Sequence, residues 1–160
     1  MYLYLIRHGE TVTESVGSEQ PLSEKGMLDV SEIAAFMSCA NIKVDEIWHS
    51  TKLRAKTTAK VIAEAIEHKN LVEREGLGPN DPIANIAEET DILHENTIIV
   101  GHLPFLDLLA SQLLVNNQAL RVVNFKTGGV LCLEKWQEGW HIAWMMNPDL
   151  LTRCIKPKNR

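Results

Sequence analysis

Cysteine is scarce: the 160-residue chain holds three, Cys39, Cys132 and Cys154, odd in number and far apart. That pattern excludes a disulfide framework and a paired-cysteine zinc site. It fits a reducing compartment, so a cytoplasmic location is expected. Long apolar runs are missing as well. No stretch approaches the roughly 20 residues that a bilayer span requires, and no membrane partner is expected. Met1 passes at once into Tyr2-Leu3-Tyr4-Leu5-Ile6. The basic region, apolar stretch and small-residue cleavage site of a secretory signal are absent, so the mature chain is expected to begin here. Positive charge is also short, with 16 Lys and Arg against 21 Asp and Glu and a formal net charge of -5. Binding along a phosphate backbone depends on clustered cations, so no nucleic-acid partner is expected. The basic end Lys156-Pro157-Lys158-Asn159-Arg160 is the local exception, and it reads as a frayed, solvated terminus.

What is present is a globular composition, 45% hydrophobic and 23% charged, sufficient for one core. Residues 1–160 are read as a single domain. Tyr2 to Ile6 has the branched and aromatic character of a strand covered on both faces, and it ends at Arg7-His8-Gly9. After the polar stretch Glu10 to Gln20, Ser23 can cap a helix in which Met27, Val30, Ile33, Ala34 and Met37 recur at helical spacing, stopping near Cys39. Asp45 to His49 reads as a second strand and Leu53 to His68 as a second helix. Glu73 to Pro82, with two glycines and two prolines, reads as a loop, and Ile83 to Leu93 as a third helix. Thr97 to Val100 is a β-prone run ending at Gly101-His102, and Pro104 opens an apolar helix through Leu114. Three closing strands are expected at Leu120 to Phe125, Val130 to Trp136 and Trp140 to Met145, with turns at Gly128-Gly129 and Glu138-Gly139.

Strands alternating with helices predict a three-layer α/β/α fold around a mostly parallel central sheet. Ligands of such sheets gather at the carboxyl ends of the strands. Arg7, His8 and His102 all fall at strand ends, so one pocket can hold them.

A phosphoryl group in transfer carries charge on its equatorial oxygens, and its site needs fixed cations and donors. Arginine grips two oxygens at once and stays protonated, which favours Arg7 and Arg54 over Lys52 or Lys56. A neutral imidazole can act as nucleophile while a second, protonated one stabilises the group in flight. His8 and His102 divide those roles in this reading. Each residue alone also has a plain structural explanation, a hydrogen-bonded strand-end histidine or a solvated arginine.

The combination weighs more than its parts. Leu5-Ile6-Arg7-His8-Gly9-Glu10, then Ser50-Thr51-Lys52-Leu53-Arg54-Ala55 with Thr57-Thr58, then Val100-Gly101-His102-Leu103-Pro104 resemble, in order and spacing, the three motifs of the histidine phosphatase superfamily. This is the phosphoglycerate-mutase-like group, and the similarity runs from about Met1 to about Leu114. The resemblance implies a nucleophile at His8, phosphate-pocket arginines at Arg7 and Arg54, a second pocket histidine at His102, and no metal or organic cofactor. The shortness of the chain, which leaves no room for a large helical lid, is similar to the SixA type of phosphohistidine phosphatase. So are Pro21-Leu22-Ser23 with Gly26, Leu77 with Pro79 and Asp81, and Asn147-Pro148-Asp149-Leu150.

Two departures bear on substrate. Gln20 stands where the SixA type commonly places an arginine before Pro21-Leu22, so one cationic contact to substrate phosphate is replaced by an amide. Glu73-Arg74-Glu75-Gly76-Leu77 has Gly76 about where larger members carry a proton donor, leaving Glu75 or Asp81 as stand-ins. An alkoxide needs a proton as it leaves, whereas a phosphorylated imidazole departs as a neutral ring. Phosphohistidine on a partner protein is therefore the expected substrate. The rival readings are a phosphatase or mutase for a small phosphorylated metabolite or nucleotide, and a catalytically weak phosphate-binding module. His49 beside Ser50 reads either as lining the pocket or as making a strand-end hydrogen bond, His68, His94 and His141 read as structural, and none has metal-ligand spacing. Trp136, Trp140 and Trp144 read as core, and Cys132 as an inert thiol in an apolar strand.

Overall fold

The computed structural model describes residues 1–13 and 19–155, so the basic segment 156–160 lies outside the described residues. Along the chain run β1 (Tyr2–Arg7), α1 (Glu24–Cys39), β2 (Glu46–Ser50), α2 (Leu53–Ala65), β3 (Asn70–Arg74), α3 (Ala84–Ile92), β4 (Thr97–Gly101), α4 (Phe105–Val115), β5 (Val130–Trp136), β6 (Gly139–Met146) and α5 (Pro148–Ile155). The strands form one six-stranded sheet in the order β3-β2-β4-β1-β5-β6. β3, β2, β4 and β1 are parallel, and β5 and β6 join antiparallel at one side. The fold is thus α/β with a mostly parallel sheet, as the alternation of elements predicts.

Side-chain alternation divides the core into two halves. Tyr4 and Ile6 of β1, Ile47 of β2 and Ile98 and Val100 of β4 face α1 and α2, meeting Val30, Ile33, Met37, Ala59 and Ile62. Leu3 and Leu5, Trp48 and Ile99 face the other way and meet Ile86, Phe105, Leu106 and Leu109 of α3 and α4. A strand buried on both faces has no polar side to offer water, which explains why β1 and β4 are continuous apolar runs. α1 begins where expected: the Ser23 hydroxyl accepts from the Gly26 N–H, satisfying one of the helix's free donors.

Several boundaries differ from the sequence reading. Asn70–Arg74, which follows the helix expected to end at His68 and overlaps the loop expected from Glu73, is instead an edge strand. Its residues are mostly exposed, so it lacks the apolar run that marks its neighbours, and parallel pairing with β2 makes it a strand. α2 stops at Ala65, because Ile66 turns extended to bury its side chain and lead the chain toward β3. Leu120–Phe125 is not a strand. A short 3₁₀ turn at Gln118–Leu120 ends on Arg121 at φ 49, and the chain then runs without ladder partners while Phe125 inserts into the core. Trp140 is buried as expected, but Trp136 lies on the β5–β6 hairpin at 63% exposure and packs edge-on against His141. Its position beside a two-residue turn at the sheet margin leaves nothing to cover it. Among the described residues, no helix is long and apolar enough to cross a membrane.

Candidate active site

The carboxyl ends of β1, β2 and β4 deliver the site. Ile6, fully buried, anchors β1 immediately before Arg7-His8, and the fully buried Val100 anchors β4 before Gly101-His102. The strand end is then clamped from both sides. His8 N–H donates to the Gly101 carbonyl at 3.0 Å, and Gly128, at φ 72, donates to the carbonyls of Arg7 and His8, each at 3.0 Å. A side chain at residue 128 would be strained in that left-handed conformation, so the turn before β5 depends on glycine. Gly9 N–H donates to Thr58 Oγ1 at 3.1 Å, and Thr58 in turn donates to the Arg54 carbonyl at 2.8 Å. α2 is thereby tied to the turn that follows His8.

The ring of His8 has a defined tautomer. Its Nδ1 lies 2.7 Å from the Gly9 carbonyl oxygen, which can only accept, so Nδ1 carries the proton and Nε2 carries the lone pair. Nε2 receives a hydrogen bond from Nε of Arg54 at 3.3 Å. Burial, aided by the charges of Arg54 and Arg7 and opposed by the Gly9 bond, holds the pKa of His8 down to about 4. At neutral pH the ring is neutral, with its nucleophilic nitrogen turned to a guanidinium.

His102 shares the pocket, its ring centroid 5.0 Å from that of His8. Its Nε2 is 2.8 Å from Ser50 Oγ. Burial first, then the charges of His8, Arg54 and Lys52, hold His102 at about 3. The protonated form expected of this residue is therefore disfavoured: burial first, with Arg54 and Lys52 nearby, leaves His102 a neutral imidazole at neutral pH.

Arg7 is fixed by donation from Nη1 to the Phe125 carbonyl at 3.0 Å, and its Nε is buried with no partner among the described residues. Neither Arg7 nor Arg54 forms an ion pair among the described residues, so both charges remain available to an anion. Burial lowers the pKa of both guanidiniums, yet arginine stays charged at any working pH. Gln20 sits half-buried beside Pro21, whose carbonyl accepts from Val12 N–H, in the segment that leaves His8-Gly9.

The candidate proton donors line a cavity of their own. Glu75 and Asp81 line a cavity of about 530 Å³ beside the end of β2, together with Lys52, Arg74 and Asn80; His8, Arg54 and His102 do not line it. Glu75 is exposed, and Asp81 Oδ2 accepts from Gly78 N–H at 2.7 Å, closing its own turn. Gly76 takes φ 80, a conformation that penalises any acidic side chain at that position. His49 makes the strand-end bond weighed for it, Nδ1 to the Ser50 carbonyl at 2.9 Å, and burial pushes the Cys132 thiol up to about 12. Ser50 and Thr58 lie within the second motif, but only coordinates reveal their contacts with His102 and Gly9.

Comparison with known proteins finds the same fold elsewhere. Residues 3–78 match the model of the histidine phosphatase superfamily (branch 1). No curated protein sequence matches the chain. Among solved structures, the protein histidine phosphatase SixA complexed with tungstate aligns at TM-score 0.84 and 17% identity, covering 94% of this chain and 99% of that one. The alpha-ribazole phosphatase from Shigella flexneri aligns at 0.72 and 17%, covering 92% and 97%. A mutant phosphoserine phosphatase from Entamoeba histolytica in complex with phosphoserine aligns at 0.68 and 16%, covering 90% and 95%. Over residues 3–78 by sequence model, and over nearly the whole chain by fold, the protein is thus similar to the histidine phosphatase superfamily.

Proposed function

We propose that the protein is a phosphatase that carries the phosphoryl group on His8 and acts on phosphohistidine of a partner protein. One observation carries the reading: the Nε2 lone pair of a neutral His8 meets Nε of Arg54, the His102 ring lies 5.0 Å from the His8 ring, and Nδ1 is already committed to the Gly9 carbonyl. Nε2 attacks phosphorus, the bond from phosphorus to the substrate ring nitrogen breaks, and that ring leaves neutral because its other nitrogen holds the proton. Arg7 and Arg54 hold the equatorial oxygens. Water then attacks the phosphorus on His8, releasing inorganic phosphate and restoring the lone pair.

The position of Glu75 and Asp81 supports a phosphoramidate over an ester. Both line a cavity that His8, Arg54 and His102 do not line, and Asp81 Oδ2 is engaged by the Gly78 N–H, so neither stands as a ready acid for a leaving alkoxide. The solved relatives named above include one for a phosphorylated protein side chain by name and others for small phosphorylated molecules, so substrate profiling is the decisive experiment. Purified protein is offered a histidine-phosphorylated domain, phosphoserine and nucleotide monophosphates in parallel. Preferential release of phosphate from the domain is expected, with the label trapped on residue 8 on acid-free quenching. Much faster hydrolysis of the small esters would overturn the substrate assignment, and full activity of His8→Ala would overturn the mechanism.

A further inference from the structure

We infer that Ser50 is a positioning residue that holds His102 in the tautomer with its proton on Nδ1, so that this N–H is the donor offered to the phosphoryl oxygens. The inference rests on the reading of His8 as nucleophile and adds a residue to which neither composition nor motif spacing assigns a role.

The argument is one of hydrogen-bond accounting. Ser50 Oγ has one proton to give and two lone pairs. One lone pair accepts the backbone N–H of Lys52 at 3.3 Å, and the remaining close contact is His102 Nε2 at 2.8 Å. If Nε2 carried the ring proton, the hydroxyl proton of Ser50 would need a further acceptor, and none is present among the described residues. Donation from Ser50 to an unprotonated Nε2 satisfies every group. Ser50 and His102 are each 1% exposed, so water does not readily substitute for a missing partner. In that arrangement Nδ1 must carry the hydrogen of the neutral ring. Nδ1 is buried without a partner among the described residues. A buried N–H left unpaired costs free energy unless it meets an acceptor when the site is loaded. The ring lies 5.0 Å from that of His8, within reach of a tetrahedral anion whose phosphorus sits on His8 Nε2. Ser50 closes β2 and Lys52 precedes α2, so the bond also ties the tautomer to the junction that positions Arg54.

The test reads the tautomer and the chemistry separately. The full chain is labelled with ¹⁵N-histidine, and residue 102 is assigned by its loss in His102→Asn. At neutral pH its Nε2 is expected in the unprotonated nitrogen range and its Nδ1 in the N–H range. Ser50→Ala should move the pair toward the opposite tautomer and slow phosphorylation of His8 by phosphoramidate on the order of 10²-fold, the scale of losing one oriented donor. Ser50→Thr, which keeps the hydroxyl, should restore the tautomer and part of the rate. In His102→Asn, whose amide N–H₂ replaces Nδ1–H and has no tautomer to lose, adding Ser50→Ala should slow the reaction no further. A wild-type ring protonated on Nε2, or a Ser50→Ala protein with unchanged tautomer and rate, would overturn the inference while leaving His8 as nucleophile. A wild-type protein that phosphoramidate never labels on residue 8 would instead overturn the parent reading.

Discussion

Nε of Arg54 donates to Nε2 of His8 across 3.3 Å and 46 residues of sequence. The contact is long and ends on the nitrogen proposed as nucleophile, so in that reading it holds the lone pair in place and yields when phosphorus arrives. The guanidinium is then next to the oxygens that gain charge. Arg54→Lys keeps the charge but loses both the Nε donor and the planar fork. Phosphorylation of His8 should fall on the order of 10²-fold, with the thermal unfolding midpoint nearly unchanged, because Arg54 makes no ion pair among the described residues. Single-turnover labelling and a melting curve measure the two quantities.

The two rings make stability depend on acid. Free histidine titrates near 6.5, whereas folding holds His8 at about 4 and His102 at about 3. As pH falls below 6.5 the unfolded chain binds protons that the native protein refuses, so native stability declines through the interval from 6.5 to about 3 and is unaffected above it. Each unit of separation corresponds to about 1.4 kcal/mol, and the two coupled rings together should cost a few kcal/mol by pH 4. Urea unfolding at pH 7.5 and pH 4.5 should show the loss, and His102→Asn should reduce it. An equal loss in the variant would show that carboxylates, not these rings, set the acid response.

Much of this architecture is written in local pattern. β1, β4 and α1 are legible because burial on both faces, or a Ser23 cap before a periodic face, leaves a strong mark in the sequence. β3 is not, because an exposed edge strand is held by backbone pairing to β2 and its side chains carry little information. The segment 120–125 misled for the opposite reason: its valines suggest a strand, but Arg121 at φ 49 and the burial of Phe125 serve the contact with Arg7 instead. Arg7, His8, Arg54 and His102 could be picked out because three motifs name them. The neutral state of His102 could not, since it follows from neighbours that only folding brings within a few ångströms.

Gly26 shows how closely α1 approaches the site. A Cβ at this position would overlap the backbone oxygen of Glu10, two residues after His8. The same oxygen accepts the Ser23 N–H at 2.9 Å, and Ser23 Oγ meets Glu10 Oε1 at 3.1 Å. Backbone cannot step aside as a flexible side chain can. Gly26→Ala should therefore cost about 1–3 kcal/mol in urea unfolding despite the better helix propensity of alanine. It should also slow His8 labelling, because the displaced segment begins directly at the nucleophile. A stabilised Gly26→Ala protein would mean that the helix start and Glu10 are not in contact.

The proton donor gives the sharpest separation between substrates. If the leaving group is a ring nitrogen, its departure needs no carboxylic acid from the protein. Glu75→Gln removes the acid and keeps the shape of an exposed side chain, and turnover of a phosphohistidine domain should then stay within about twofold of wild type. Asp81→Asn differs in kind. Its Oδ2 accepts the Gly78 N–H at 2.7 Å, so the amide tests loop closure, with an expected loss of about 1 kcal/mol in stability and little change in the rate of His8 phosphorylation. A loss on the order of 10²-fold in Glu75→Gln, the scale of general acid catalysis, would mean that the loop at 75–81 closes over the substrate and delivers a proton. An ester would then become the natural substrate, since the lining of Glu75 in a cavity that His8 does not line is what argues for a leaving group that can depart unaided.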